Sequence, residues 1–439
     1  MFYLKNNLTN SILTLGLFIY LTYFGYIIKN SINLNSITIG ILIYLYSFFV
    51  FELVLTIFGL KVTFINNFYL VNFLWSIIFI FKYKKYKEMS FLILLLFSMQ
   101  IFSNIFWSFL SLNKNFIGDV SDFQLPNVKN IYENSLYFSI NNPTLEGYPQ
   151  MINYLHALLN KFISFNTDFV YYSSSTNVLF LLTLLLFFEF RFSFNLFLLK
   201  FFTFSSLVLN SGWLKFLFLE SLMSEGLLSY LVCASLIPLC YKLKEEQNNT
   251  SIYYLIFGML YLSKQFVSTI SIFILILLLF INSNKKQVVF GFSALVLNEL
   301  AYLSAFRNLT KNYHFKQFDL KDAIQDILFL RELKFSNLSI ILDNLIKDKP
   351  LFYLLMILLA LLIVNLINNK KLLENKKLVI YLSALLSNVL LIIILYISIW
   401  KNMELESPIR YLLNFLHLYF FTIFELFNRY ILLHNSLKE

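Results

Sequence analysis

Apolar residues occur along this chain in long runs that are separated by short polar stretches. A run of about 17–25 apolar residues is long enough to cross a hydrocarbon core of about 30 Å as a helix. Lipid offers no partner to an open backbone hydrogen bond, so runs of this length indicate helices rather than a barrel. The predicted helices are 9–28, 36–59, 64–81, 90–112, 176–192, 194–211, 216–240, 250–263, 266–282, 287–306, 350–368, 378–400 and 411–434. The pattern predicts an all-α, polytopic membrane protein with about 11–13 transmembrane helices, in which the short run 250–263 is either a span or a re-entrant half-helix.

The composition agrees with this class. Of the 439 residues, 59% are hydrophobic and 13% are charged, whereas soluble domains average about 45–50% apolar and about 25% charged residues. The formal net charge is +10, and the basic residues concentrate in short loops, as expected for cytoplasmic loops rather than for a nucleic-acid surface. We therefore expect a single integral membrane domain over residues 1–439 and no nucleic-acid partner.

Lysine-rich loops predict the orientation of the chain. These loops are 82–87, 241–246, 283–287 and 368–377. They fall on one side if the predicted helices alternate, and the positive-inside rule makes that side the cytoplasm. The two longest polar segments then lie outside, as a first large external loop at 113–175 and a second at 307–349.

The sequence lacks the common motifs for nucleotides and metals. It contains no nucleotide-binding loop, no HExxH and no CxxC, and none of its four histidines stands at metal-ligand spacing from another. With 10 glycines and 6 prolines, the chain has few of the interruptions that broken-helix transporters use. Cys233 and Cys240 lie about 10 Å apart along one predicted helix, which is too far for a disulfide.

Polar residues on the predicted external side are the functional candidates. Charged groups in or near a membrane are energetically costly, so those that occur there are candidates for a functional role. Asp119 and Asp122 open the first large loop. Pro126 fits the first turn of a short helix, where its missing N–H group costs nothing. The residues that give this helix an apolar face are Val128, Ile131 and Tyr132. We expect this helix to lie along the membrane surface.

Further candidates follow along the chain. The stretch 146–159 is a second amphipathic segment, which returns to the bilayer. The candidates at predicted outer helix ends are Glu220, Glu225, Lys264, Gln265, Arg410 and Tyr411. For these residues and for the two aspartates, a helix cap, a structural ion pair or a side chain that snorkels to the headgroups is the alternative interpretation. Glu52, Lys200 and Glu425 are interpreted as packing or interface residues, because the sequence identifies no partner for them.

Together these candidates favour one chemistry. A carboxylate accepts the proton of an attacking hydroxyl. Lysine and arginine hold a phosphate and stabilise the charge that develops on it as it leaves. An external pocket with both kinds of group suits transfer from a phosphate ester to an alcohol, and its place at the membrane suits a leaving phosphate that carries a lipid.

The order of these residues resembles the C-type glycosyltransferase superfamily, which includes protein mannosyltransferases and lipid A aminoarabinose transferase. Its bacterial members place an Asp in the first long external loop, a Pro seven residues later and an aromatic–Pro pair some twenty residues beyond. Asp119, Pro126 and the pair Tyr148–Pro149 match this order. On that spacing Asp119, rather than Asp122, takes the catalytic position, and Asp122 and Tyr148 are expected to bind substrate.

Three later motifs extend the resemblance over about residues 90–425. The family's second acid resembles Glu225 in "SEGLLSYL", and its lysine-bearing turn resembles Lys264 in "GMLYLSKQFVS". Its "RYLLPLLP" motif resembles "RYLLNFLH", which contains Arg410 and Tyr411. The departures from the family pattern are Phe266 after the lysine and Asn414 and His417 in place of prolines.

The resemblance implies a fold in which amphipathic helices of the external loops cap a cavity open to the bilayer. A helical stripe between 320 and 328 in the second loop fits such a helix. It also implies an inverting transfer of a sugar from a polyprenyl-phosphate carrier to a lipid, glycan or protein acceptor, on the external face of a bacterial plasma membrane. Asp119 is then the base, Glu225 orients hydroxyls, and Lys264 and Arg410 hold the lipid phosphate. No cofactor is required, and participation of a divalent cation, held by the two acids, stays open.

Two other classes of protein share parts of this pattern. A polysaccharide polymerase or ligase uses lipid-diphosphate-linked glycans and has a large external loop, but we expect several arginines there. The 113–175 loop has none, and 307–349 contains only Arg307 and Arg331. A lipid or solute transporter would carry its charges near the midplane in related halves, whereas the candidates here cluster at one predicted interface.

Overall fold

In the computed structural model, all regular secondary structure of the described residues is helical. The described residues are 16–17, 19–28, 34–82, 125–136, 151–163, 182–183, 186, 194–211, 224–245, 251–260, 265–281, 285–306, 335–368, 375–399 and 408–436. The helices are α1 (Ile19–Ile28), α2 (Leu34–Ile57), α3 (Phe64–Lys82), α4 (Leu125–Glu133), α5 (Met151–Ile163), α6 (Phe194–Asn210), α7 (Ser224–Glu245), α8 (Ser251–Met259), α9 (Gln265–Ile281), α10 (Lys285–Phe306), α11 (Asn337–Lys347), α12 (Lys349–Asn368), α13 (Lys376–Ile394), α14 (Pro408–Leu412) and α15 (Leu416–Ser436). A π-helical turn at Leu395–Ile399 extends α13, and a 3₁₀ turn at Leu413–Phe415 joins α14 to α15.

Among the described residues, three helices are long and apolar enough to cross a membrane. Their apolar segments are Ile37–Ile57, Lys349–Asn368 and Lys376–Ile397. Only 17% of the apolar window of α12 is buried inside the fold, so most of this helix presents leucine and isoleucine outward. The prediction of an all-α chain that contains helices suited to span a membrane is confirmed for the described residues, whereas the number of spans stays a prediction.

Helices α2 and α7 form the centre of the fold. Helix α2 packs against α3, α5, α7, α8 and α10, and α7 packs against α5, α8, α13 and α15. Every side chain of α7 from residue 226 to 240 is buried, including both cysteines, Cys233 and Cys240. A helix that is apolar around its whole circumference belongs in an interior, and α7 occupies that position.

Two glycine pairs allow helices to approach closely. A Cβ atom at Gly40 of α2 would clash with the carbonyl oxygen of Gly25 in α1. A Cβ atom at Gly258 of α8 would likewise clash with the carbonyl oxygen of Gly291 in α10. Small residues at helix crossings are a common means of packing in membranes. The nine-residue helix α8 is too short to span a bilayer, and this crossing seats it against α10.

The two helices of the first large loop differ in burial. Helix α4 places Pro126 in its first turn and buries Val128, Ile131 and Tyr132, as the sequence predicts. Helix α5 is buried on every side from residue 151 to 160. Its polar face, formed by Asn153, His156 and Asn160, is therefore inside the fold rather than at a surface, unlike the amphipathic helix expected from the sequence.

Contacts between helix ends define which helices run alongside each other. Ser211 follows α6 and donates its hydroxyl to Asp348 Oδ2 at 2.8 Å, immediately before α12. At the start of α13, Lys377 Nζ lies 3.0 Å from Oε2 of Glu425 in the middle of α15, and farther along α13 Asn388 contacts the hydroxyl of Tyr419, nearer the start of α15. Helix α12 is thus antiparallel to α6, and α13 is antiparallel to α15, as alternating spans require.

Candidate functional site

A buried carboxylate, Glu52, joins the first loop to the membrane helices. Its Oε1 atom accepts the backbone N–H of Leu136 at 2.6 Å. Its Oε2 atom accepts the Tyr154 hydroxyl at 2.7 Å and the Asn67 amide at 3.0 Å. The sequence interpretation of Glu52 as a residue without an identifiable partner is thereby corrected. Its partners come from α3, from α5 and from the residues just after α4, which no local pattern could pair with it.

Further hydrogen bonds fix the same junction. The Asn67 amide also donates to the Tyr154 oxygen at 2.7 Å, and the backbone N–H of Phe64 donates to the carbonyl of Asn134 at 2.8 Å. Burial, together with the adjacent Glu52 carboxylate, raises the pKa of Tyr154 well above its usual value. The chain that follows Asp119 and Asp122 is therefore anchored, three residues after Asp122, by a helix held on the ends of α2 and α3.

Near this junction, His156 of α5 is an isolated buried base. Only 3% of its surface is exposed, and neither ring nitrogen has a hydrogen-bond partner among the described residues. Burial lowers its pKa to about 4. The imidazole is therefore neutral at physiological pH and contributes no charge to the region.

Four of the predicted site residues, Asp119, Asp122, Tyr148 and Lys264, lie outside the described residues, so their roles stay predictions. The backbone of Glu225 is described and lies in the first turn of α7.

Arg410 and Tyr411 both lie on α14. Tyr411 is 7% exposed, and Arg410 is half-buried. A tyrosine so deeply buried is part of the packing of α14, whereas the arginine keeps access to the surroundings.

A hydrogen-bonded chain connects α7 to the start of α15. His417 Nδ1 lies 2.7 Å from the Ser229 hydroxyl, and His417 Nε2 lies 2.9 Å from the Thr183 hydroxyl. The backbone N–H of His417 also donates to the Ser229 oxygen, at 3.0 Å. Both ring nitrogens are hydrogen-bonded and His417 is fully buried. This histidine therefore links α7 to α15 and is not a free base.

This connection brings two predicted site segments to one end of the fold. Glu225 precedes Ser229 by one helical turn, and Arg410 precedes His417 by about two turns. Because Ser229 and His417 are in contact near the starts of their helices, α7 and α15 run parallel. The sequence contained a signal for the connection, since His417 stands where the family pattern has a proline, but spacing alone did not assign it a partner.

A second unusual residue lies on the same short segment. Asn414 is fully buried, and neither its side-chain oxygen nor its nitrogen has a hydrogen-bond partner among the described residues. It also stands where the glycosyltransferase pattern that the sequence resembles has a proline. A buried amide without a partner is unfavourable, so Asn414 is a polar group available to a ligand or to residues beyond those described.

A charged cluster lies in the middle of α15, about two helical turns beyond His417. Glu425 contacts Lys377 at 3.0 Å and Arg429 at 3.4 Å. The buried Lys200 ammonium lies 5.4 Å and 5.6 Å from the ring centres of Phe421 and Phe424, within the range of cation–π attraction. The sequence assigned no partner to Glu425 or Lys200, and the structure corrects both. These contacts connect α6, α13 and α15.

Within the described residues, no three His, Cys, Asp or Glu side chains group as a metal site requires. The predicted cation ligands, Asp119 and Glu225, are not included in this search, because their side chains lie outside the described part of the structure. No protein-family model, no curated protein and no solved structure matches the chain.

Proposed function

We propose that this protein is a polytopic membrane glycosyltransferase similar to the C-type superfamily. It has about 11–13 transmembrane helices and transfers a sugar from a polyprenyl-phosphate carrier to an acceptor hydroxyl on the external face of a bacterial plasma membrane. The observation that carries the proposal is the Ser229–His417 contact. It supports a common site for Glu225 and Arg410, which are 185 residues apart in the sequence and belong to separate family motifs.

The first loop supplies the second support. Helix α4 has the proline in its first turn that the family pattern requires, and its end is bonded to Glu52. A loop anchored in this way offers Asp119 a fixed entry point at the predicted external ends of α2 and α3. Positioning of this kind matters, because a carboxylate near its reference pKa of about 4 is a weak base at neutral pH.

The proposed reaction is a single inverting displacement. Asp119 takes the proton of the acceptor hydroxyl, and the acceptor oxygen attacks the anomeric carbon from the face opposite the phosphate. The bond between that carbon and the phosphate oxygen breaks, and the electron pair leaves with the lipid phosphate. Lys264 and Arg410 stabilise the departing phosphate, and Glu225 orients hydroxyl groups of the sugar or acceptor.

The test measures loss of radiolabelled sugar from a panel of polyprenyl-phosphate donors in membranes that contain the protein. Matched membranes carry Asp119→Asn or, as the control, Asp343→Asn, an exposed acid whose only described ion pair is with Lys347 on the surface of α11. We expect turnover of one donor by the wild type and by Asp343→Asn, and loss of turnover in Asp119→Asn with donor binding retained. If Asp119→Asn kept wild-type turnover, Asp119 would not be the base.

A further inference from the structure

A groove of about 700 Å³ lies between helices α6, α12 and α15. Its walls are largely apolar, with Phe202 and Leu207 on α6, Leu354 and Ile357 on α12, and Phe420 and Phe424 on α15. The groove borders the exposed apolar surface of α12, the helix of which so little is buried. It therefore opens toward the region that lipid chains would occupy.

The length of the groove matches an acyl chain. From Lys349 to Ile357 on α12, and from Asn210 back to Phe202 on α6, the lining extends over nine residues, or about 12 Å along each helix. One leaflet of a bilayer contributes about 15 Å of hydrocarbon. The apolar walls therefore cover most of the depth of one leaflet.

One end of the groove is polar and cationic. The Ser211–Asp348 hydrogen bond places the end of α6 beside the start of α12, so Asn210 and Lys349 line the same end. Lys349 is exposed, and it makes no ion pair with any described residue. The neighbouring Asp348 carboxylate is occupied by the Ser211 hydroxyl and by the backbone N–H of Leu351.

We propose that this groove binds an anionic phospholipid, with one acyl chain along the apolar walls and the phosphate at Lys349. A lysine ammonium is a compact donor that suits a phosphate, and a lysine at the membrane surface favours anionic over zwitterionic lipid by about five-fold. The site uses none of the residues assigned to sugar transfer and does not depend on the proposed function.

Native mass spectrometry of the detergent-purified full chain tests the proposal. The probes are phosphatidylglycerol and phosphatidylcholine with identical chains. The head-group variant is Lys349→Ala, with Lys347→Ala as its control, because Lys347 is exposed two residues earlier and pairs with Asp343. We expect the wild type and Lys347→Ala to prefer phosphatidylglycerol about five-fold, and Lys349→Ala to bind both lipids equally.

The chain-site variant is Ile357→Trp, which fills the groove. Its control is Ile363→Trp on the same helix, since Ile357 and Ile363 are 50% and 48% exposed but only Ile357 lines the groove. We expect Ile357→Trp to lose both lipids and Ile363→Trp to retain them. Thermal unfolding midpoints of all four variants establish that each is folded. Because Lys349 is exposed, its replacement by alanine leaves the packing of the core unchanged.

Three results would overturn the proposal. One is an unchanged lipid preference in Lys349→Ala. Another is displacement of phosphatidylglycerol by a polyprenyl phosphate at equal concentration together with loss of sugar transfer in Ile357→Trp, which would assign the groove to the donor. The third is a wild-type dimer that Ile357→Trp dissociates while lipid binding is unchanged, which would assign the groove to a second copy of the chain.

Discussion

The Tyr154 hydroxyl donates to Oε2 of Glu52 at 2.7 Å, although 102 residues separate the two in the sequence. The bond joins a helix of the first large loop to a central membrane helix. Because Leu136 and Asn67 donate to the same carboxylate, three segments of chain depend on one side chain. Glu52 is thus the point at which the loop is attached to the helical core.

Removal of this carboxylate is expected to destabilise the protein strongly. Glu52→Ala leaves the Leu136 N–H, the Tyr154 hydroxyl and the Asn67 amide without their acceptor, and a broken buried network of this kind costs about 3–5 kcal/mol. Glu52→Gln keeps one acceptor oxygen and should cost less. Chemical denaturation in detergent measures both, with the exposed Glu133→Ala of α4 as a control expected to stay within about 0.5 kcal/mol of wild type. Equal stability of Glu52→Ala and Glu133→Ala would contradict the assignment.

The Ser229–His417 contact gives a second prediction. Ser229→Ala removes the partner of the His417 ring and of its backbone N–H, which should cost about 1–3 kcal/mol. Ser235→Ala is the matched control on the same buried helix, because among the described residues the Ser235 hydroxyl bonds only to carbonyls of its own helix. Unfolding midpoints of the two variants should differ clearly. If they coincide, the contact does not hold α7 to α15.

The crossing of α1 and α2 at Gly25 and Gly40 gives a third prediction. Gly40→Ala introduces a methyl group against the backbone of Gly25, and overpacking of this kind costs about 1–3 kcal/mol. Gly16→Ala is the control, since a Cβ atom there meets no atom of the described residues within 4 Å and alanine is the better helix former. The thermal unfolding midpoint should fall for Gly40→Ala alone. A similar midpoint in both variants would show that the close approach of α1 and α2 at these glycines does not contribute to stability.

Much of the fold followed from local pattern, and the reason is physical. The apolar run at 350–368 predicted α12 to within a residue, because length and hydropathy alone decide a membrane-spanning helix. Pro126 and the 3.6-residue apolar spacing likewise predicted α4. The burial of α5 was not predictable, because its polar face looks like a surface face until Glu52 and Tyr154 are seen to be in contact.

In the candidate site too, local motifs were predictable from the sequence, whereas contacts between distant helices were not. Motif order assigned Arg410 and Glu225 to one predicted site, and the parallel packing of α7 and α15 supports that prediction without testing either role. Contacts that depend on two distant helices, such as Thr183 with His417, leave no periodic trace in the sequence. Pairing of this kind requires the tertiary structure.

Acid is expected to destabilise the protein through His156. Its pKa is about 4 in the fold against 6.5 ordinarily, so the unfolded chain binds more protons between these values. The stability is fully present above about pH 6.5 and is lost as pH falls toward about 4. From pH 7.5 to pH 5 this residue should account for a loss of about 2 kcal/mol.

Comparison of wild type with His156→Phe isolates this contribution. Denaturation curves of both proteins at pH 7.5 and pH 5 give the two losses, and that of the variant should be smaller by about 2 kcal/mol. Parallel pH profiles would mean that the imidazole is solvated or bonded in the folded state.

The interior position of α7 has a practical consequence for mapping the chain in living cells. Its two cysteines are the only thiols in the sequence, and both are buried, so maleimide reagents, which attack accessible thiolates, should leave the folded protein unlabelled. A single cysteine introduced at Lys84 or at Lys311 then becomes a reporter without background. A membrane-impermeant reagent added to intact cells should modify the second and spare the first, which would establish on which side of the membrane each loop lies.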